Sequence, residues 1–240
     1  MKEKMTKKKN DIIKLVGNLK STPKVVIFCG AGISRDSGLP LAKELIIAVN
    51  RYLFSTTEFH RKLYMDYQEQ IDGYYSNIMM EVFFQELKNQ LGDSIYDIFN
   101  VFKNGEPNFN HLFIAQLVKH GYIDVIFTTN FDTLLEQAFE KVGIKKDNFI
   151  VASDDEDFKI YGGKIVIYKL HGTVQNINSL ITTLDGVGTG LSKNKEEILS
   201  HYLSSNPFWF IGWSNNDYDI TSVIKNYIKS FYSHIPHIVL

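Results

Sequence analysis

Two kinds of hydrophobic pattern alternate along this chain. Short unbroken apolar runs rich in Val, Ile and Phe read as buried parallel strands. Longer stretches with apolar residues at three- and four-residue spacing read as helices. The first run, Val25-Val26-Ile27-Phe28-Cys29, breaks at Gly30 and Gly32 and leads into a helix over residues 39–53, with Pro40 in its first turn. A short amphipathic helix over residues 10–20 precedes it and is stopped by Pro23. Residues 55–105 show no strand pattern, only Tyr, Phe and Met at helical spacing, and read as a helical insertion whose aromatic residues fit either core packing or a contact surface.

Helix and strand then alternate again. A helix over 111–120 is stopped by Gly121, and the strand 123–129 runs into Asn130-Phe131-Asp132 and a helix over 133–142. Strands follow at 148–151 and 164–170, the second ending at His171-Gly172, and a further one is expected at 179–183. The acidic loop 153–157 reads as solvated, and Gly186, Gly188 and Gly190 read as a flexible loop. A helix over 192–203, a strand over 207–212, a helix over 218–232 and a last strand at 238–240 complete the pattern. Strands alternating with helices specify an α/β fold, a Rossmann-like parallel sheet with helices on both faces. Such sheets bind ligands at the carboxyl ends of their strands. Four polar clusters fall there: Gly30-Ala31-Gly32, Thr129-Asn130-Phe131-Asp132, His171-Gly172 and Gly212-Trp213-Ser214-Asn215-Asn216-Asp217.

Composition narrows the class. With 240 residues, 44% hydrophobic and 22% charged, the chain is long enough for one large domain with an insertion. A net charge of -1 gives no general pull toward nucleic acid or anionic membrane, so neither is an expected partner. The only basic cluster is Lys7, Lys8 and Lys9, which reads as a solvated start. No apolar run reaches spanning length and no secretory signal is visible, so the expected compartment is the cytoplasm. The single cysteine, Cys29, ends a buried strand and reads as packing; it rules out an internal disulfide and a multi-cysteine zinc site.

A strand, a glycine turn and a helix bring backbone N–H groups toward a phosphate, and Ser34 and Ser37 add hydroxyls on the same turn. Position 35 is Arg, where the dinucleotide fingerprint has its third glycine, and a tight turn that binds nothing fits the same residues. Asn130 also fits a helix cap, and His171 a satisfied turn histidine. Together, in this order, the four clusters resemble the sirtuin family over residues 24–220. Gly30-Ala31-Gly32-Ile33-Ser34, continuing to Ser37-Gly38-Leu39-Pro40, resembles its phosphate loop. Thr129-Asn130-Phe131-Asp132 resembles its Thr-Gln-Asn-Ile-Asp segment, Leu170-His171-Gly172 its catalytic histidine motif, and Gly212-Trp213-Ser214 its later Gly-Thr-Ser loop.

The departures point to one branch of that family. Leu41-Ala42-Lys43 stands where the deacylases have Asp-Phe-Arg, Thr129 replaces the glutamine, and the zinc module is missing, with the helical insertion in its region. This pattern resembles the NAD-hydrolysing effector domains of bacterial anti-phage defence proteins, whose Gly-x-Ser-x-x-Asp motif matches Gly212 to Asp217. The resemblance implies NAD as substrate, no zinc, and cleavage of the nicotinamide–ribose bond to nicotinamide and ADP-ribose. It implies that Asn130 orients water and ribose and that His171 acts as general base. It implies that Gly30, Ala31, Gly32 and Ser34 hold the phosphates, that Asp132 meets the nicotinamide amide, and that Gly212, Ser214 and Asp217 lie on the ribose or adenosine side. It also implies a regulated homo-oligomer gated by a sensor or activator, with residues 1–240 the N-terminal effector part of a longer protein. A protein deacylase and a catalytically silent nucleotide-binding scaffold remain open as alternatives.

Overall fold

The computed structural model describes residues 23–230, Gly17 and the strand Ile238–Val239. Apart from Gly17, the expected helix over 10–20 lies outside the described residues, as do Lys7, Lys8, Lys9 and Leu240. Six parallel strands form one sheet: β1 (Val26–Cys29), β2 (Val125–Thr128), β3 (Phe149–Ala152), β4 (Ile165–Lys169), β5 (Phe208–Ile211) and β6 (Ile238–Val239). Their spatial order is β3-β4-β2-β1-β5-β6, with every pairing parallel. The chain leaves β1 on one side, builds β2, β3 and β4 there, and returns to place β5 on the other. Reversals of this kind open a crevice at the carboxyl ends of the strands.

Each central strand is apolar on both faces, and each face has its own core. On one face Phe28, Phe127, Tyr168 and Phe208 pack against α7 (Lys193–Ser205) and α8 (Tyr218–Ser230). On the other, Ile27, Ile126, Ile167 and Trp209 pack against α4 (Phe109–Lys119) and α5 (Leu134–Lys141). Each fully buried Phe or Ile contributes about 1.5–3 kcal/mol relative to exposure, so the two cores fix the sheet register firmly.

The insertion has a third core. It comprises α2 (Glu58–Tyr75), α3 (Met80–Leu91) and a 3-10 stretch, Gly92–Lys103, and joins α1 (Ala42–Phe54) through Leu45, Ile46, Phe84 and Phe99. None of the residues of α2 is buried. Phe131, Val174 and Leu180 belong to this core too, so the insertion packs on the loops that follow β2 and β4.

Several local expectations change. Helix α1 starts at Ala42 rather than Leu39. The residue before a proline is driven to extended backbone, which keeps Leu39 out of the helix, and the Leu41 N–H is instead capped by Glu44 Oε2 at 2.8 Å. Residues 179–183 form no strand: a 3-10 turn, Ile177–Ser179, is followed by a single bond from Ile181 N–H to the His171 carbonyl at 3.0 Å. The glycine-rich loop begins as α6 (Leu184–Gly188), tied to α3 by a bond from Asp185 N–H to Gln85. The acidic loop has a structural task, because Asp155 accepts from Ser192 and Asn194 at the start of α7.

Candidate active site

The sheet register sets the four polar clusters side by side. Lys169 is level with Thr128, Thr128 with Cys29, and Cys29 with Ile211. One or two residues beyond that row come His171, Asn130, Gly30 and Gly212, in the spatial order of the adjacent strands β4, β2, β1 and β5. Their grouping therefore follows from strand pairing alone.

The first group is buried between β1, β2 and α4. Ser34 Oγ donates to Asp132 Oδ2 at 2.8 Å and accepts from Asn130 Nδ2 at 3.1 Å. His111 Nε2 lies 3.2 Å from the same oxygen. The one Ser34 proton goes to Asp132, so the contact from His111 Nε2 is a donation to Ser34, while His111 Nδ1 lies 3.3 Å from the Asn108 backbone nitrogen and 3.0 Å from Asn108 Oδ1. Burial holds the His111 pKa below its ordinary value, against the pull of the Asp132 charge. Asp132 Oδ1 accepts the Leu134 N–H at 3.0 Å and so caps α5. Asn130 is thus pinned through its amide nitrogen, while its Oδ1 is buried without a hydrogen-bond partner. Such an acceptor is costly unless a ligand or water meets it.

The second group surrounds His171. Its Nε2 lies 3.0 Å from Asp219 Oδ2 in the first turn of α8, and both side chains are almost wholly buried. Burial disfavours the charged ring, yet the Asp219 hydrogen bond and the charges of Asp219, Asp217 and Glu81 outweigh it, so the His171 pKa is raised. Glu81, from the insertion, has its own pKa raised by burial, with Asp217 and Asp219 adding to the shift. The following Gly172 has φ +85, and a Cβ there would lie 2.0 Å from the Ser179 carbonyl oxygen, so only glycine fits. Beneath the loop, Lys195 Nζ donates to the Leu170 carbonyl at 2.8 Å.

Lys169, two residues before His171, braces the first group. Its ammonium, 1% exposed, donates to the Asp132 carbonyl and pairs with Glu136 Oε1 at 2.9 Å.

The glycine turn differs from expectation in one respect. A Cβ at Gly32 would meet the Gly212 oxygen at 2.7 Å, and one at Gly30 would meet the Trp213 Cα at 2.6 Å. The Gly30 and Gly32 N–H groups donate to the Ile211 and Gly212 carbonyls at 3.0 and 2.9 Å. These glycines are required by close packing of the β1 turn on the β5 loop, a constraint that the sequence reading of a phosphate-facing turn did not contain. Ala31 and Gly32 are exposed at the tip of the turn. Gly212 has φ +63, and Trp213 packs on Phe28 and Phe210 while its indole N–H donates to Asp217. Ser214 is exposed, apart from the buried groups. Cys29 is fully buried, and burial followed by the Asp132 charge pushes its thiol far up, which makes it a packing residue. Among the described residues, no three His, Cys, Asp or Glu side chains converge as a metal site. Nor is any helix among them long and apolar enough to cross a membrane.

Sequence reasoning passed over His111, Asp219, Glu81 and Lys169. His111 and Lys169 appeared only as members of a helix and a strand. Asp219 stands two residues after a flagged aspartate, but no spacing rule couples it to His171.

The sheet, its four carboxyl-end loops and the asparagine and histidine they carry define a Rossmann-like α/β domain with its candidate site at the carboxyl ends of the strands. Residues 124–240 match the SIR2-like domain family. The chain is 27% identical over 203 residues to the NAD(+) hydrolase ThsA of Cytobacillus dafuensis, covering 83% of this chain and 37% of that protein. It is likewise 27% identical over 206 residues to the NAD(+) hydrolase ThsA of Acinetobacter baumannii (strain 532279), covering 83% and 38%. The chain thus spans less than two fifths of the curated relatives it matches. Among solved structures, a Sir2 homologue in complex with ADP-ribose superposes with a TM-score of 0.55 at 16% identity, covering 93% of this chain and 83% of that one. A structure described as the basis for the mechanism and regulation of Sir2 enzymes superposes with a TM-score of 0.53 at 17% identity, covering 96% and 85%. These superpositions establish the shared fold.

Proposed function

We propose that this chain is an NAD glycohydrolase domain that cleaves the nicotinamide–ribose bond without an acyl-peptide co-substrate. The observation that carries the reading is the buried, unpartnered Asn130 Oδ1 at the end of β2, on the strand next to the one that ends at His171. The two relatives named as NAD(+) hydrolases support the choice of substrate. Nicotinamide leaves a pyridinium as a neutral base, so no general acid is needed for the departing ring.

The chain's own groups then have these roles. Asn130 Oδ1 accepts from the attacking water or a ribose hydroxyl, held in place by the Ser34 bond to its amide nitrogen. His171 takes the water proton, imidazole being the side chain poised near neutral pH. Asp132 keeps lone pairs beyond those used by Ser34 and Leu134 and accepts from the nicotinamide amide. The exposed tip of Ala31 and Gly32 faces the pyrophosphate, with Gly30 and Ser34 shaping the turn behind it. Gly212, Ser214 and Asp217 line the ribose or adenosine side. No zinc takes part. An ungated hydrolase of this kind would empty its own cell of cofactor. We therefore infer a regulated, cytoplasmic, oligomeric anti-phage effector governed by a sensor or activator.

The test is incubation with NAD in the presence and absence of an acylated peptide. Free nicotinamide without peptide is the expected result. Release only with peptide would make the protein a deacylase, and binding without turnover would make it a scaffold. Asn130→Ala and His171→Ala should each lower release about 10²–10⁴-fold while the circular dichroism spectrum stays unchanged.

A further inference from the structure

We propose that Asp219 is the positioning residue of His171: its carboxylate accepts the Nε2–H, fixes the ring tautomer, and leaves Nδ1 as the nitrogen that receives the proton. This rests on the NAD-cleavage reading above.

The geometry is specific. A carboxylate only accepts, so a 3.0 Å contact to Nε2 places the ring proton there. A neutral imidazole carries one N–H, which leaves Nδ1 bare and basic. Nδ1 makes no hydrogen bond to any described residue, so it is the ring position free for a substrate or water. The His171 and Asp219 side chains are 4% and 1% exposed, so bulk water cannot take over the role of the carboxylate. Asp219 is itself firmly held. It lies in the first turn of α8, next to the fully buried Ile220, and its own carbonyl accepts from Ser222 Oγ at 2.8 Å. Its second oxygen, Oδ1, is buried without a partner. The carboxylate spends its single described side-chain bond on the histidine.

The proton balance is simple. The water oxygen bonds to the anomeric carbon, the carbon–nitrogen bond breaks with its electron pair going to the nicotinamide, and the water proton goes to Nδ1. His171 is then an imidazolium, and Asp219 remains an ionised acceptor that stabilises it. Other charged groups act on the same pair. Asp217, in the loop before α8, and Glu81, on α3, favour the protonated ring, while Lys195 on α7 interacts with Asp219. Asp219 is the one that makes the hydrogen bond.

The deciding experiment joins nitrogen NMR of isotope-labelled histidine with steady-state kinetics. The His171 signal is identified by its loss in His171→Gln. Wild type should show Nε2 protonated and Nδ1 bare in the neutral ring. Asp219→Asn should lower kcat for nicotinamide release by roughly 10²-fold or more, because an amide also permits the opposite tautomer. KM for NAD should stay nearly constant, and the acid limb of the rate profile should move to lower pH. Asp219→Glu, which keeps the carboxylate, should return that limb toward its wild-type position and covers the case in which the asparagine variant does not fold. Protonated Nδ1 in the wild type would overturn the proposal, as would an unshifted acid limb with kcat nearly unchanged in Asp219→Asn. Failure of the wild type to release nicotinamide would remove the functional reading, and the tautomer would still decide the role of Asp219.

Discussion

Phe131 meets Phe99 edge-on, with ring centroids 5.4 Å apart. Phe131 separates Asn130 from Asp132, and Phe99 lies in the 3-10 stretch of the insertion, so one aromatic contact ties the insertion to the site. Phe102 adds a second contact to Phe131 at 5.6 Å. The insertion is therefore a support for the asparagine loop. Phe99→Leu should cost about 1–2 kcal/mol by imperfect packing and lower kcat for nicotinamide release more than it raises KM. Chemical denaturation and steady-state kinetics check this together. An activity that stays at the wild-type value in a measurably destabilised protein would separate the insertion from the site.

The glycine turn carries a second prediction. A Cβ at Gly32 would press on Gly212 backbone, which has no flexible end to move aside. Gly32→Val should therefore destabilise the fold by roughly 1–3 kcal/mol, with NAD affinity falling as a consequence. A thermal midpoint equal to wild type, combined with lost NAD binding by calorimetry, would instead return the glycine to a purely ligand-facing role.

The architecture was legible in the sequence because its strands are unbroken apolar runs and its chemistry sits just past their ends. Asn130, His171 and Gly212 could be grouped on that basis alone. Partner identities were not legible. Asp219 is 48 positions from His171, and His111 is 77 positions from Ser34; only folding brings each pair together. The reason for Gly32 was equally hidden, since the residue facing it belongs to the β5 loop. Residues 179–183 have strand-like composition but find no strand edge to pair with, so they remain irregular. Lys169 read as one more residue of an apolar strand, and its buried charge is intelligible only beside Glu136.

Two histidines should give stability opposite pH dependences. Burial lowers the folded pKa of His111, outweighing the opposing Asp132 charge. As pH falls through about 6.5, the unfolded chain therefore binds a proton that the folded chain refuses, and stability drops. His171 behaves in the opposite sense. Burial is outweighed by Asp219 and its neighbours, and its folded pKa is raised. Its contribution is full below about 6.5 and is lost as pH rises through the folded value. Urea denaturation at a series of pH values should show the acid loss flattened in His111→Gln and the loss at higher pH flattened in His171→Gln. Unchanged slopes in both variants would show that other groups govern the pH response.

The buried ion pair between Lys169 and Glu136 allows stability and activity to be separated. The two charges lie 2.9 Å apart with side chains 1% and 9% exposed, and the ammonium also donates to the Asp132 carbonyl. Glu136 Oε2 is buried with no hydrogen-bond partner, so the pair is incompletely compensated. Removing one partner strands the other charge in the interior, which typically costs about 3–5 kcal/mol. Lys169→Met should therefore be strongly destabilised. Replacing both members by apolar side chains of similar volume is often neutral. The double variant Lys169→Met, Glu136→Leu should accordingly recover most of the lost stability in chemical denaturation. Its activity should not recover, because the bond that holds the Asp132 carbonyl, and with it the turn from Asn130 to Thr133, is still missing. A double variant that regains both stability and nicotinamide release would show that Lys169 serves the fold alone. One that regains neither would show that the paired charges are needed for the core itself.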